Sequence, residues 1–140
     1  MRVRVVNAQR QAPVSLLRMR RLARAALRHL HIRTGGELSI TFVDTRRMRA
    51  RNRRFTRHDR STDVLSFRYD GEPVVGELLI VPREAQRYAQ AHGLPYAQEL
   101  SRYVVHGLLH WMGHDDRTAP QQRDMRRRED RLLRRCGVIA

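Results

Sequence analysis

The sequence predicts a single α/β domain over residues 1–140, with a mixed sheet of about four strands packed against about five helices. Three observations carry this expectation. Strand-like and helix-like segments alternate along the chain. A hairpin signal near the middle argues against an all-parallel sheet. The length of 140 residues suits one domain, since a chain of that size buries roughly 68–70% of the surface its unfolded form exposes.

The elements follow in order. "MRVRVVN" alternates Arg2 and Arg4 against Val3 and Val5, the pattern of a half-buried strand. In "SLLRMRRLARAALRHLHI", Leu16, Met19, Leu22, Ala23, Ala26, Leu27 and Leu30 recur at helical spacing, so one face packs on the sheet. Gly35 and Gly36 turn the chain into "ELSITFVD", a strand rich in β-branched residues. "TRRMRARNRRF" reads as a short, very basic helix and "TRHDRSTD" as a polar loop. "VLSFRYD" and "VVGELLIVP" are strands joined by Asp70-Gly71-Glu72-Pro73, a hairpin connection. Pro82 suits the first turn of the helix "REAQRYAQAH", which Gly93 ends. A long, largely apolar helix runs from about Ala97 to Met112, and a last one starts at Pro120 with a thin apolar stripe of Met125, Leu132 and Leu133.

The formal net charge is +15, and every basic side chain other than histidine is arginine. So positive a chain attracts polyanions, and guanidinium binds phosphate oxygens in a bidentate way that ammonium cannot. Nucleic acid is the first partner to consider, and ribosomal association suits the balance; a solvated basic surface is the bland alternative. One cysteine, Cys136, excludes an internal disulfide and points to a reducing compartment. No segment reads as a signal-peptide core or a membrane span, so the expectation is a cytoplasmic protein with no membrane partner. Oligomeric state leaves no trace in the sequence.

The chemistry concentrates in "HGLLHWMGHDD". His106 and His110 are four apart, which places both imidazoles on one helix face, the spacing that zinc hydrolases use. Leu100, Val104, Leu108, Trp111 and Met112 occupy a different arc, so the histidines sit at its border, where a cleft can form. Gly113 can end the helix in a left-handed conformation and send the chain back toward the same ion. The pattern H-x-x-x-H-x-x-G-x-x-D then runs to Asp116, with His114 and Asp115 as rival third ligands. The competing reading is a pair of ordinary, hydrogen-bonded histidines. Gly107 stands where a zinc peptidase carries its glutamate base. A glycine inside a helix costs about 1 kcal/mol against alanine, so a close neighbour at that point is expected.

These residues resemble the signature of the YbeY family, metal-dependent endoribonucleases of ribosomal RNA maturation. "VVHGLLHWMGHDD" is similar to its H-G-x-L-H-L-x-G-Y-D-H, "STDVLSF" to its P-T-D/N-V-L-S-F, and "GELLIVP" to its G-D-I-x-I strand. The three blocks keep the family's order and cover roughly residues 45 to 116. The resemblance implies one α/β domain with a zinc ion held by three histidines. It also implies endonucleolytic cleavage of single-stranded RNA, 16S ribosomal RNA 3′-end processing and ribosome quality control. Carried over, the ligands are His106, His110 and Asp116, the last where the family has histidine; His114 falls on its tyrosine position. A carboxylate third ligand admits other divalent transition metals besides Zn2+. The family arginine aligns with Thr56, and the adjacent Arg57 takes its place; Glu77 stands for an aspartate.

The expected activity is therefore metal-assisted hydrolysis of RNA phosphodiester bonds. His110 and Arg57 are the catalytic candidates. Arg53, Arg54 and Arg57 are the RNA-binding candidates, and His106, His110 and Asp116 the metal ligands. Ser66 and Glu77 either line the cleft or sit at the core edge, and Asp63 caps or orients the loop. Two other classes compete: an RNA-binding ribosome assembly factor whose metal is structural, and a zinc peptidase, against which Gly107 argues.

Overall fold

A computed structural model describes residues 1–33, 35–56, 64–69, 71 and 74–140, with backbone only for 52–56. The described elements run β1 (Arg2–Ala8), α1 (Leu16–His29), β2 (Gly36–Val43), α2 (Thr45–Thr56), β3 (Val64–Tyr69), β4 (Val74–Ile80), α3 (Pro82–His92), α4 (Tyr96–Trp111) and α5 (Ala119–Arg135). Among the described residues the expected α/β class, four strands and five helices are all found. The hairpin residues Asp70, Glu72 and Pro73 lie outside the described residues.

The sheet order is β1-β2-β4-β3. β1 pairs parallel with β2, β2 parallel with β4, and β3 antiparallel with β4. The register aligns Val5 with Ile40 and Ile40 with Leu78, so one pleat face carries a continuous apolar row. That face, with Leu38, Phe42 and Ile80, meets Leu22 and Ala26 of α1, Val104 and Leu108 of α4, and Leu132 and Leu133 of α5 in the main core. The opposite face is smaller: Val43, Leu79 and Val81 pack with Met48 of α2. No described helix is long and apolar enough to cross a membrane.

The helix ends follow their sequences. Ser15 caps α1 through its side chain, and Thr118 with Gln121 forms a capping box on α5. Pro82 opens α3, and Gly93 closes it at φ 63°. α4 is the central helix, buried along most of its length, and packs against α3, α5, β3 and β4. Gly107 lets it approach the sheet: a Cβ there would lie 3.0 Å from Val64 Cγ1 and 3.3 Å from Leu78 Cδ1. Ser66 on β3 fixes the same contact, its hydroxyl donating to the Gly107 carbonyl at 2.8 Å. The expected close neighbour of this glycine is the sheet.

Candidate metal centre

The end of α4 brings the site together. After Trp111 the Gly113 N–H donates to His110 O at 2.9 Å, and the His114 N–H to Leu109 O at 3.0 Å. Gly113 takes φ 102°, which a side chain rarely adopts. This crossed pair of bonds reverses the chain. Three residues beyond Gly113, Asp116 arrives beside the two imidazoles that α4 presents one turn apart. Its Oδ1 lies 3.2 Å from His110 Nε2, and its Oδ2 lies 3.5 Å from His106 Nε2. One donor atom from each of His106, His110 and Asp116 falls within 4.8 Å of the others. All three are half-buried.

These separations suit a divalent ion. Bonds of about 2.0–2.1 Å at tetrahedral angles place donor atoms about 3.3 Å apart. The two nitrogen–oxygen distances, 3.2 and 3.5 Å, bracket that value. The chemistry of the set agrees: two imidazoles and a carboxylate are donors of the kind that hold zinc, and three of them converge among the described residues. Asp116 is thus the acid that converges, and the rivals do not. Asp115 is exposed, 4.0 Å from Arg117. His114 lies outside the converging group. Burial pushes its imidazole pKa down, and Arg128 adds to this while Asp124 opposes it.

Behind the imidazoles lies a cleft of about 480 Å³, lined among others by Val64, Tyr88, Glu99, Tyr103 and Arg126. Its inner wall is charged. Glu129 of α5, 5% exposed, accepts from Arg102 Nη1 at 3.0 Å and holds its other oxygen 2.7 Å from His106 Nδ1. Arg102 Nη2 reaches Asp130 Oδ1 at 2.8 Å. Burial works against the Arg102 charge, but its bonds to Glu129 and Asp130 outweigh it, and the net direction of its pKa is upward.

Glu99, 3% exposed, sits one turn below Arg102 with its Oε2 buried and unpartnered. Burial raises its pKa above the ordinary 4.5, more than Arg102 and Arg126 lower it. A carboxyl raised in the folded state contributes its stability below the unfolded pKa and loses it as pH rises through the folded one. Glu99→Gln is therefore expected to raise the melting temperature at about pH 8. The gain should vanish below about pH 4, where both states hold the proton. Paired thermal melts at the two pH values test this. An equal shift at both, or a loss at the higher pH, contradicts the assignment.

The other sequence candidates are placed less completely. Arg57 and Asp63 lie outside the described residues, and Arg53 and Arg54 sit on α2 with side chains outside them. Ser66 is engaged under α4. Glu77 is on the opposite sheet face, 3.6 Å from Arg51 and 3.3 Å from the Tyr69 hydroxyl, so it does not line the cleft. Glu129, Arg102 and Glu99 were not anticipated. Their signal was spacing: residues 99, 102, 106 and 110 follow one line of α4, and Glu129 interrupts the apolar stripe of α5.

The chain is similar to known proteins over most of its length. The family model described as Endoribonuclease YbeY matches residues 4–137. Endoribonuclease YbeY of Geobacillus kaustophilus (strain HTA426) is 37% identical over 117 residues, 74% of this chain and 75% of that protein. The namesake from Anaeromyxobacter sp. (strain Fw109-5) is 36% identical over 143 residues, 99% of this chain and 74% of that protein. The solution structure of TM1509 from Thermotoga maritima superposes with a TM-score of 0.66 at 21% identity, covering 96% of this chain and 88% of that one, a likeness of fold. A match across nearly the whole length, together with relatives above 30% identity, makes this chain a member of the YbeY family.

Proposed function

We propose that this chain is a metal-dependent endoribonuclease and that residues 1–140 act as one such domain. The observation that carries the reading is the convergence of His106, His110 and Asp116 within 4.8 Å at the mouth of a cleft. It is found in a chain whose relatives are named endoribonucleases. The three side chains hold one divalent ion, with Zn2+ the first choice for imidazole and carboxylate donors. When bound, such an ion polarises a phosphoryl oxygen and makes water a competent nucleophile near neutral pH. The chain supplies the rest. Arg57, with Arg53 and Arg54, binds phosphate and offsets charge developing in the transition state. The net charge of +15 concentrates RNA at the surface. The substrate is single-stranded ribosomal RNA in the cytoplasm, in 16S 3′-end processing and ribosome quality control, with ribosomal proteins as partners.

A closed structural site needs four protein donors, and three converge among the described residues, which favours catalysis over a purely structural metal. The test uses purified protein stripped with chelator and titrated with zinc against single-stranded and structured RNA. Cleavage should return with about one equivalent of metal and fall about 100- to 1,000-fold in His110→Ala, the scale of removing one electrostatic element of a transition state. Undiminished cleavage by that variant contradicts the reading.

A further inference from the structure

We infer that Glu129 is the positioning residue of the metal centre: it binds the Nδ1 proton of His106 and so commits Nε2 of that ring to the ion. The inference rests on the metal reading above and adds a residue to it from another helix. A neutral imidazole carries one proton, and the hydrogen bond of one nitrogen decides what the other can do. His106 Nδ1 lies 2.7 Å from Glu129 Oε2, while its Nε2 faces Asp116 at 3.5 Å. A carboxylate has no proton to give, so Nδ1 donates, and Nε2 keeps its lone pair on the side where the other donors converge.

Glu129 is itself held. Its second oxygen, Oε1, takes Arg102 Nη1 at 3.0 Å, and Arg102 is clamped from the far side by Asp130 at 2.8 Å. Both oxygens of the buried carboxylate are thus occupied, one by a fixed cation and one by the ligand ring. A buried ion pair between α4 and α5 is by itself poor evidence for a stability role, because desolvation cancels much of its attraction. An apolar pair would join the helices as well. The contact that an apolar pair cannot make is the one to His106. Among the described residues His110 shows no such support, since its one polar contact is Asp116. Among the described residues the two imidazoles therefore differ: His106 has a carboxylate behind it at Nδ1, and His110 does not. Carboxylate–histidine–metal arrangements gain ligand basicity and a fixed ring, and loss of the outer carboxylate typically weakens metal binding by about 10- to 100-fold.

The test has two arms on the full chain. In the metal-free wild type at about pH 8, nitrogen-detected NMR of the imidazoles should find His106 as the Nδ1–H tautomer, against the Nε2–H form that a free imidazole favours. Zinc affinity by chelator competition should fall about 10- to 100-fold in Glu129→Gln, with partial recovery in Glu129→Asp. Circular dichroism of the metal-free variants confirms that they remain folded. If Glu129→Gln does not fold, the wild-type tautomer decides. An Nε2–H tautomer at His106 overturns the inference. So does a folded Glu129→Gln that binds zinc as the wild type does, although the metal reading then survives. A wild type that binds no zinc overturns both.

Discussion

Asp116→Ala is expected to weaken zinc binding by more than about 100-fold and to abolish metal-dependent RNA cleavage, while Asp116→His preserves both. The bound comes from comparison: removing a group that only supports a ligand costs about 10- to 100-fold, so removing a ligand costs more. Asp116 approaches each imidazole with a different oxygen, at 3.2 and 3.5 Å, and no other acid joins the three-donor group among the described residues. Alanine leaves two imidazoles one helical turn apart, and two donors hold an exchangeable ion weakly. Histidine keeps three donors, at the position where the resemblance places one. It also removes a negative charge from the centre, so preference should move toward zinc and away from harder ions such as manganese. Chelator competition with both metals, and gel-resolved cleavage of single-stranded RNA, read these changes. Should Asp116→Ala retain stoichiometric zinc at wild-type affinity, the third ligand is another residue, with His114 first in line.

The sequence disclosed the elements more fully than their arrangement. Period-two and period-3.6 patterns, Pro82, Gly93 and Gly113 mark ends that fall where the structure has them. The insertion of β4 between β2 and β3 is not written locally, because strand order depends on contacts between segments far apart in sequence. Register is equally remote. Ser66 pairs with Leu78 and Phe67 with Glu77, so Ser66 and Glu77 face opposite sides of the sheet. A one-residue slip would have put both on the same face. The ligand triad was legible because it is nearly local: one helical turn and one reversal connect its members. Glu129 was not, since it reaches His106 from a separate helix, 23 residues on. Its only trace is an acid between Met125 and Leu132 on an otherwise apolar stripe. The arginine assignments lie outside the described side chains: Arg57 rests on the resemblance, and Arg53 and Arg54 on the basic character of α2.

Gly107→Glu is the strongest test of how α4 is set against the sheet, because it writes the peptidase motif H-E-x-x-H into the chain. The expected result is a destabilised protein with no peptidase activity. Position 107 faces β3 and β4, where a bare Cβ already comes within 3.0 Å of Val64 and 3.3 Å of Leu78. Its carbonyl is the acceptor for Ser66. A glutamate side chain must therefore enter the packed apolar contact between α4 and the sheet, against Val64 and Leu78. Overpacking costs about 1–3 kcal/mol, and a buried polar group without a partner costs about 1–3 kcal/mol more. Melting temperature falls by roughly 3–4 °C per kcal/mol in a chain of this size, so a drop of about 10 °C or loss of soluble protein is expected. Gly107→Ala is the control. Its methyl meets Val64 Cγ1 at 3.0 Å and Leu78 Cδ1 at 3.3 Å, which must give by a few tenths of an ångström, while helix propensity returns about 1 kcal/mol, so its loss is much smaller than that of glutamate. Thermal melts and a casein assay on both variants separate the possibilities. A Gly107→Glu protein that melts like the wild type and cuts casein would mean that position 107 faces the cleft, and the contact between α4 and the hairpin would have to be redrawn.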